Sequence, residues 1–145
     1  MSSGLKLDDE VINKYEGEFK KTGSALVGMT LKAAKKDGKD VVEIDKTFPR
    51  DGFKHEDFME AFPDKEGRIG LLKYSGKTDD GRPLKKVLII LWAPMTCGPM
   101  QRMLYTSCFG AIKDELTGVD LTLQLDSRAD LEFEKIEADI RSKFK

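Results

Sequence analysis

The chain has 145 residues, enough for one domain with one substantial core, and its apolar fraction of 39% with eight Phe can fill that core. Its 25 basic and 26 acidic residues are interspersed and nearly cancel to a net charge of −1, which argues against nucleic-acid binding, where a basic excess or stripe is expected. The longest apolar run, Val87 to Trp92, is strand-length and far below the roughly 20 residues of a membrane span. The opening "MSSGLKLDDE" has no apolar middle of the signal-peptide kind, so a cytoplasmic location is expected.

In chain order, the first element is a helix beginning after Asp8 or Asp9, either of which can cap it. Val11, Ile12, Tyr15 and Phe19 form its apolar stripe, and Gly23 and Ser24 end it. From Leu26 the pattern changes to a period of two through Val27, Met29, Leu31 and Ala33, which predicts a strand. Asp37-Gly38 is a hairpin turn signal, and Val41 to Ile44 return as the second strand. The acidic segment His55 to Phe62 reads as a helix closed by Pro63.

Arg68 to Tyr74 reads as a third strand, and the polar turn "SGKTDDGRP" leads to a fourth over Lys86 to Trp92. The unbroken apolar run of that fourth strand predicts a sheet centre covered on both faces. A long helix follows over Pro99 to Leu116, with Pro99 in its first turn and Gly118 beyond its end. Leu121, Leu123 and Leu125 alternate as a fifth strand. Ser127 and Asp130 resemble a capping box for a last helix whose stripe is Phe133, Ile136, Ile140 and Phe144. The expected fold is therefore α/β of the α+β kind. It has a single mixed sheet of about five to six strands, flanked by four or five helices, in one domain over residues 1–145.

Catalytic constellations are scarce. The chain contains no GxSxG, P-loop or GxGxxG pattern, and His55 is its only histidine. His55 lies among Lys54, Glu56 and Asp57 at an apparently solvated helix start, a poor place to pair with Cys97 or Cys108. The two cysteines would sit about 16 Å apart along one helix, too far for a disulfide. One His and no CxxC leave a zinc site without ligands, and no metal or other cofactor is expected. A small cytosolic enzyme is the disfavoured reading.

The long helix poses the sharper question. Leu104, Tyr105, Cys108, Ala111 and Ile112 fall on one arc that can seat it on the sheet. Arg102, Thr106 and Lys113 are expected on the opposite face, with Met103 about 100° from Leu104 and Phe109 near Arg102. An outward Met, aromatic and Arg have the composition of a protein-binding patch. The basic residues near Lys35, Lys36 and Lys39, and those at Arg82, Lys85 and Lys86, read as solvated by default.

The stretch "LWAPMTCGPMQRMLYTSCFGAIKDELTGV" resembles the signature of the actin-depolymerising factor/cofilin family. Trp92, Ala93, Pro94, Met103, Tyr105, Ser107, Ala111, Ile112, Leu116 and Gly118 match it without gaps. "MSSG" is similar to the family's Ser-Gly start, and "EDFMEAFP" to the end of its second helix. The element order is also the family's, which extends the resemblance over nearly the whole chain.

That resemblance implies a monomeric, cytoplasmic, cytoskeletal protein that binds actin monomers and filaments and promotes filament turnover, with weak severing at most. The monomer-binding face would comprise Ser3, Gly4, Met100, Arg102, Met103, Thr106 and Lys113. The filament face would comprise Arg82, Lys85, Lys86 and Arg141. Ser3 matches the position of regulatory phosphorylation, where added negative charge weakens actin binding. Phosphoinositides are implied as weak further partners.

Departures from the family pattern include Met100 in place of a basic residue, and Asp114 and Glu115 where cations are common. Phe109-Gly110 and Gly67-Arg68 also differ, and Ala138 and Asp139 replace charge that includes Arg in filament binders. Fewer helix cations weaken the electrostatic part of actin and phosphoinositide binding. "TCGPMQRMLY" and "DDGRP" are similar to patterns of glia maturation factor, a sister branch that acts on the branched-filament nucleating complex. That is the alternative reading, opposed by Trp92 and the N-terminal start.

Overall fold

The structure, a computed structural model, describes residues 5–21 and 23–144. Six strands form one mixed sheet in the order β1-β3-β2-β4-β5-β6. They are β1 (Lys6–Leu7), β2 (Leu26–Lys36), β3 (Lys39–Pro49), β4 (Arg68–Lys77), β5 (Pro83–Trp92) and β6 (Leu121–Leu125). The α-helices are α1 (Asp9–Lys14), α2 (His55–Glu60), α3 (Pro99–Glu115) and α4 (Phe133–Lys143). The antiparallel centre β3-β2-β4-β5 is flanked by parallel pairs, β1 with β3 and β5 with β6.

The β2–β3 hairpin turns where the sequence predicts. Asp37 and Gly38 both adopt positive φ, 51° and 77°, the pair of left-handed residues that a two-residue hairpin turn requires. The bracketing strands run 11 residues each, so β3 extends well beyond the expected Val41 to Ile44. Tertiary pairing with β2 carries the polar stretch Asp45 to Thr47, which has no strand pattern of its own.

Helices cover both faces. On one, Val11, Tyr15 and Phe19 pack with Tyr105, Cys108, Phe109 and Ile112 over Met29, Leu31, Ile69, Leu71, Ile89 and Leu91. On the other, Phe58 and Phe62 pack with Ile136 and Ile140 over Leu72, Leu88, Ile90 and Trp92. Ile89 and Ile90 are both buried though they point to opposite faces, which is why β5 reads as an unbroken apolar run.

Several expectations are corrected. A two-residue strand, β1, precedes the first helix; two residues carry too little pattern to be read without their partner Val41-Val42. The first helix widens after Lys14 into a π-helical segment, Tyr15–Phe19, and ends there, short of Gly23 and Ser24. This places Tyr15 and Phe19 stacked at 5.6 Å, both fully buried. At the last helix, Ser127 Oγ bonds the Asp130 carboxylate and precedes a 3₁₀ turn, Arg128–Leu131, so α4 starts only at Phe133. Ile136 and Ile140 form its buried stripe, while Phe133 is 40% exposed.

His55 is half-buried instead of solvated, because α2 packs against the 3₁₀ turn before α4. Its Nε2 lies 2.7 Å from the Leu131 carbonyl, which assigns the proton to Nε2 and makes that N–H the donor.

Candidate functional site

Two surfaces gather the residues singled out by the sequence. The first lies where β5 ends. Trp92 is fixed by an indole N–H bond to the Pro63 carbonyl at 2.7 Å, and the chain then bends through a 3₁₀ turn, Met95–Cys97. Gly98, at φ 84°, reverses direction, and Pro99 starts α3 in the first-turn position where its missing N–H costs nothing.

On this tip Met95, Met100 and Met103 are 73%, 85% and 72% exposed. Three large unbranched apolar side chains left in water within nine residues are atypical of a plain surface, and Met is the side chain that best reshapes to a partner. Met95 was not picked out by helical periodicity because it lies outside the helix; its place in a Pro/Gly-bracketed bend is the signal that could have found it.

The rest of α3 is arranged differently from the sequence expectation. Phe109 is buried, at 6% exposure, and faces the core with Tyr105 and Ile112. The seating arc is centred nearer Tyr105 and Phe109 than periodicity around Leu104 suggests, and Leu104 and Ala111 are only half-buried. Tyr105 sets this rotation. Its phenol oxygen accepts the Ala33 N–H at 3.0 Å, and its ring lies so close over Gly67 that any Cβ there would collide with it. This accounts for glycine at that departure from the family pattern.

Arg102 is consequently on the shoulder of the helix, not opposite the core. It is half-buried, and its guanidinium donates to the Ala93 carbonyl at 2.5 Å, stapling the start of α3 to the end of β5. Thr106 is exposed with its hydroxyl bonded back to the Arg102 carbonyl at 2.7 Å. Lys113 is exposed, its ammonium 5.4 Å from the Phe109 ring centroid. The outward face thus carries Met100, Met103 and Thr106 at one end, and Lys113 with exposed Asp114 and Glu115 at the other. Ser3 and Gly4 lie outside the described residues.

The second surface is the β4–β5 hairpin with α4. Tyr74 hydroxyl donates to Glu137 at 2.6 Å, and Arg141 meets Asp79 at 3.3 Å, which fixes the C-terminal half of α4 beside the hairpin. Burial first, then the bond to Glu137, raises the Tyr74 pKa. Arg82 pairs with Asp80 at 2.9 Å in the exposed turn. Lys86 places its ammonium 4.1 Å from the Phe144 ring centroid on the α4 side. Lys85, next in the strand, points to the opposite face by the period-two rule. The structure therefore unites Arg82, Lys86 and Arg141 and separates Lys85 from them.

Burial pushes the Cys108 thiol up to about 12, so it is a core residue with no thiolate at neutral pH. Among the described residues no three His, Cys, Asp or Glu side chains are grouped to hold a metal ion. No helix of the described residues is long and apolar enough to cross a membrane.

Comparison with known proteins agrees with this architecture. Residues 4–141 match the model of the cofilin/tropomyosin-type actin-binding protein family. The chain is similar to actophorin of Entamoeba histolytica, 25% identical over 140 residues and covering 97% of each protein. It is also similar to cofilin-4 of Dictyostelium discoideum, 26% identical over 131 residues, 90% of this chain and 93% of that one. Among solved structures, Streptomyces griseoflavus cofilin superimposes with a TM-score of 0.82 at 20% identity, covering 96% of this chain and 98% of that one. Human coactosin-like protein superimposes at 0.81 with 14% identity, covering 100% and 94% respectively; both share the fold. With the family model spanning nearly all of the sequence, the chain belongs to the cofilin/tropomyosin-type actin-binding protein family.

Proposed function

We propose that the chain acts as a single monomeric unit that binds both monomeric and filamentous actin and promotes filament turnover in the cytoplasm. The observation that carries this reading is the exposed methionine tip, Met95, Met100 and Met103, at the N-terminal end of α3. An apolar, adaptable tip on a rigid helix suits insertion into a hydrophobic cleft, and burying it there supplies most of the binding energy.

Monomer binding uses Met100, Met103 and Thr106, with Lys113 farther along the helix and Ser3 and Gly4 from the N-terminal segment. Arg102 supports this face chiefly by holding α3 against Ala93. Filament binding adds Arg82, Lys86 and Arg141 on the hairpin and α4, with Lys85 at the edge of that surface. Turnover requires no covalent step, because preferential affinity for one actin conformation shifts the filament's population toward it. The scarcity of free cations on α3 limits severing and makes phosphoinositide binding on this face weak. Phosphorylation of Ser3 adds negative charge beside the apolar tip and lowers actin affinity.

Co-sedimentation with filamentous actin, run beside native gel shifts with ADP- and ATP-bound monomer, tests the reading. Binding to both forms is expected. Failure to bind either form would sink it, and debranching activity without monomer binding would favour the sister-branch function on the nucleating complex.

A further inference from the structure

The bend between β5 and α3 is rich in sulfur. Met95, Cys97, Met100 and Met103 fall within nine residues, so three of the six Met and one of the two Cys meet there. Exposure sets them apart from the others. Met95, Met100 and Met103 stand in water, whereas Met29 is fully buried and Met59 half-buried. Cys97 is half-buried, and Cys108 sits in the core. Among the described residues, accessible sulfur is therefore concentrated at one tip.

The backbone under these side chains is fixed. Thr96 Oγ1 donates to the Asp64 carbonyl, the Cys97 N–H donates to the Pro94 carbonyl at 3.0 Å, and Arg102 staples the start of α3 to Ala93. Cys97 Sγ lies 3.6 Å from the Gly98 carbonyl oxygen, which also accepts the Arg102 N–H at 3.1 Å. The thiol is thus held against the first turn of α3, the turn that carries Met100. Met100 and Met103, three residues apart on that helix, have Cβ atoms about 5–6 Å apart on neighbouring positions. Each unbranched thioether stem has three rotatable bonds, enough to bring both sulfurs onto one ion.

The donor set selects the ion. Thioether and thiolate sulfurs are soft ligands that favour copper(I), whereas calcium and magnesium require oxygen. A zinc site would need the grouping of His, Cys and carboxylates that is missing among the described residues. An apolar protein contact accounts for the methionines but not for a cysteine set among them.

We propose that this tip binds one copper(I) ion through Cys97 Sγ and the thioethers of Met100 and Met103, with Met95 as the fourth ligand. On binding, the Cys97 S–H bond breaks, its proton passes to solvent, and the electron pair left on sulfur forms the bond to copper. No electron is transferred, so the ion enters and remains as copper(I). The fixed backbone spaces the ligands, and the exposed stems close around the ion. The inference is independent of the actin reading, because no actin enters its test.

That test is anaerobic titration of the full, reduced chain against copper(I) bicinchoninate, following loss of the coloured complex. Uptake of one ion per chain is expected, with affinity lowered at least tenfold in Cys97→Ser, Met100→Leu and Met103→Leu and unchanged in the control Met59→Leu. Leucine keeps the apolar volume of an already exposed side chain, so the methionine variants carry the test alone should Cys97→Ser melt early. In parallel, methionine methyl signals are followed by NMR during titration with silver(I), a soft ion of the same charge. Met95, Met100 and Met103 should shift together up to one equivalent while Met29 stays still. The proposal is overturned if copper remains with bicinchoninate, or if uptake is indifferent to the Met→Leu changes, which would mark a thiol acting alone. Saturation at half an equivalent, an ion bridging two chains, overturns it as well, and so does a methyl shift at Met29 equal to those at the tip.

Discussion

The two ends of β5 present opposite chemistry. At its start, Lys85 joins Lys73 and Arg50 around a cavity with excess positive charge; beyond its end, the bend and α3 expose Met95, Met100 and Met103. About 23 Å of strand separates Lys85 from Trp92. One strand therefore carries two surfaces of unrelated chemistry, and the strand's buried middle separates them. Charge at the first end is screened by salt, whereas the apolar area exposed at the second is not.

The comparison can be broken most directly at the tip. Replacing Met100 and Met103 together by Ala is expected to lower actin-monomer affinity at least tenfold, about 1.4–3 kcal/mol of the kind concentrated in buried interface anchors. Stability should stay within about 0.5 kcal/mol because neither side chain is buried in the free protein. Gel shift and urea unfolding measured on the same preparation check both halves; a large loss of stability would place the methionines in the fold instead.

Arg102→Ala is expected to cost about 1.5–3 kcal/mol of stability, the worth of a hydrogen bond from a charged group. Arg102 thus staples α3 to the end of β5, whatever part it has in binding. Urea unfolding with affinity corrected to the folded fraction separates the two parts. An unchanged unfolding midpoint would show that the bond to Ala93 carries no weight.

A smaller effect is expected on the α4 surface. Lys86→Ala and Arg141→Ala together should reduce filament co-sedimentation roughly three- to tenfold, since exposed charges at an interface rim are worth about 1 kcal/mol or less each. Monomer gel shifts should hardly move. Equal losses in both assays would merge the two faces into one.

The smallest effect below pH 9 should come from pH itself acting on the core. The Tyr15 hydroxyl and the Cys108 thiol are each raised to about 12, by burial above all, from ordinary values of 10.0 and 9.0. The folded state holds protons that the unfolded chain releases, so this contribution is whole below about pH 9 and is lost as pH rises toward 12. Thermal melts should be flat in this respect up to pH 9 and fall beyond it, with Cys108→Ala delaying the onset. A melting curve indifferent to pH 9–11 would remove burial as the cause.

Much of this arrangement was legible before any coordinate. The hairpin at Asp37-Gly38, the doubly covered β5 and the helix opening at Pro99 each follow from a local rule: paired left-handed residues, an unbroken apolar run, and proline at a first turn. Three features were not legible. Phe109 reads as outward from the helix pattern around Leu104, yet faces the core because the Tyr105 phenol on Ala33 and its ring over Gly67 rotate the helix. Arg102 reads as a free cation, yet its partner is a carbonyl nine residues back, past the bend. The cavity at the start of β5 gathers Arg50, Lys73 and Lys85 from three separate segments, and spacing within any one of them says nothing about the others.

By itself, then, the sequence determined the element types, the hairpin, the central strand and, through one run of residues around Trp92, the family. Those depend on short-range periodicity, backbone sterics and a contiguous motif. Tertiary structure alone decided which side of α3 meets water, which cations are tethered and where positive charge collects. These follow from helix rotation and from where β2 stops pairing with β4, and both are set by packing between segments far apart in the chain.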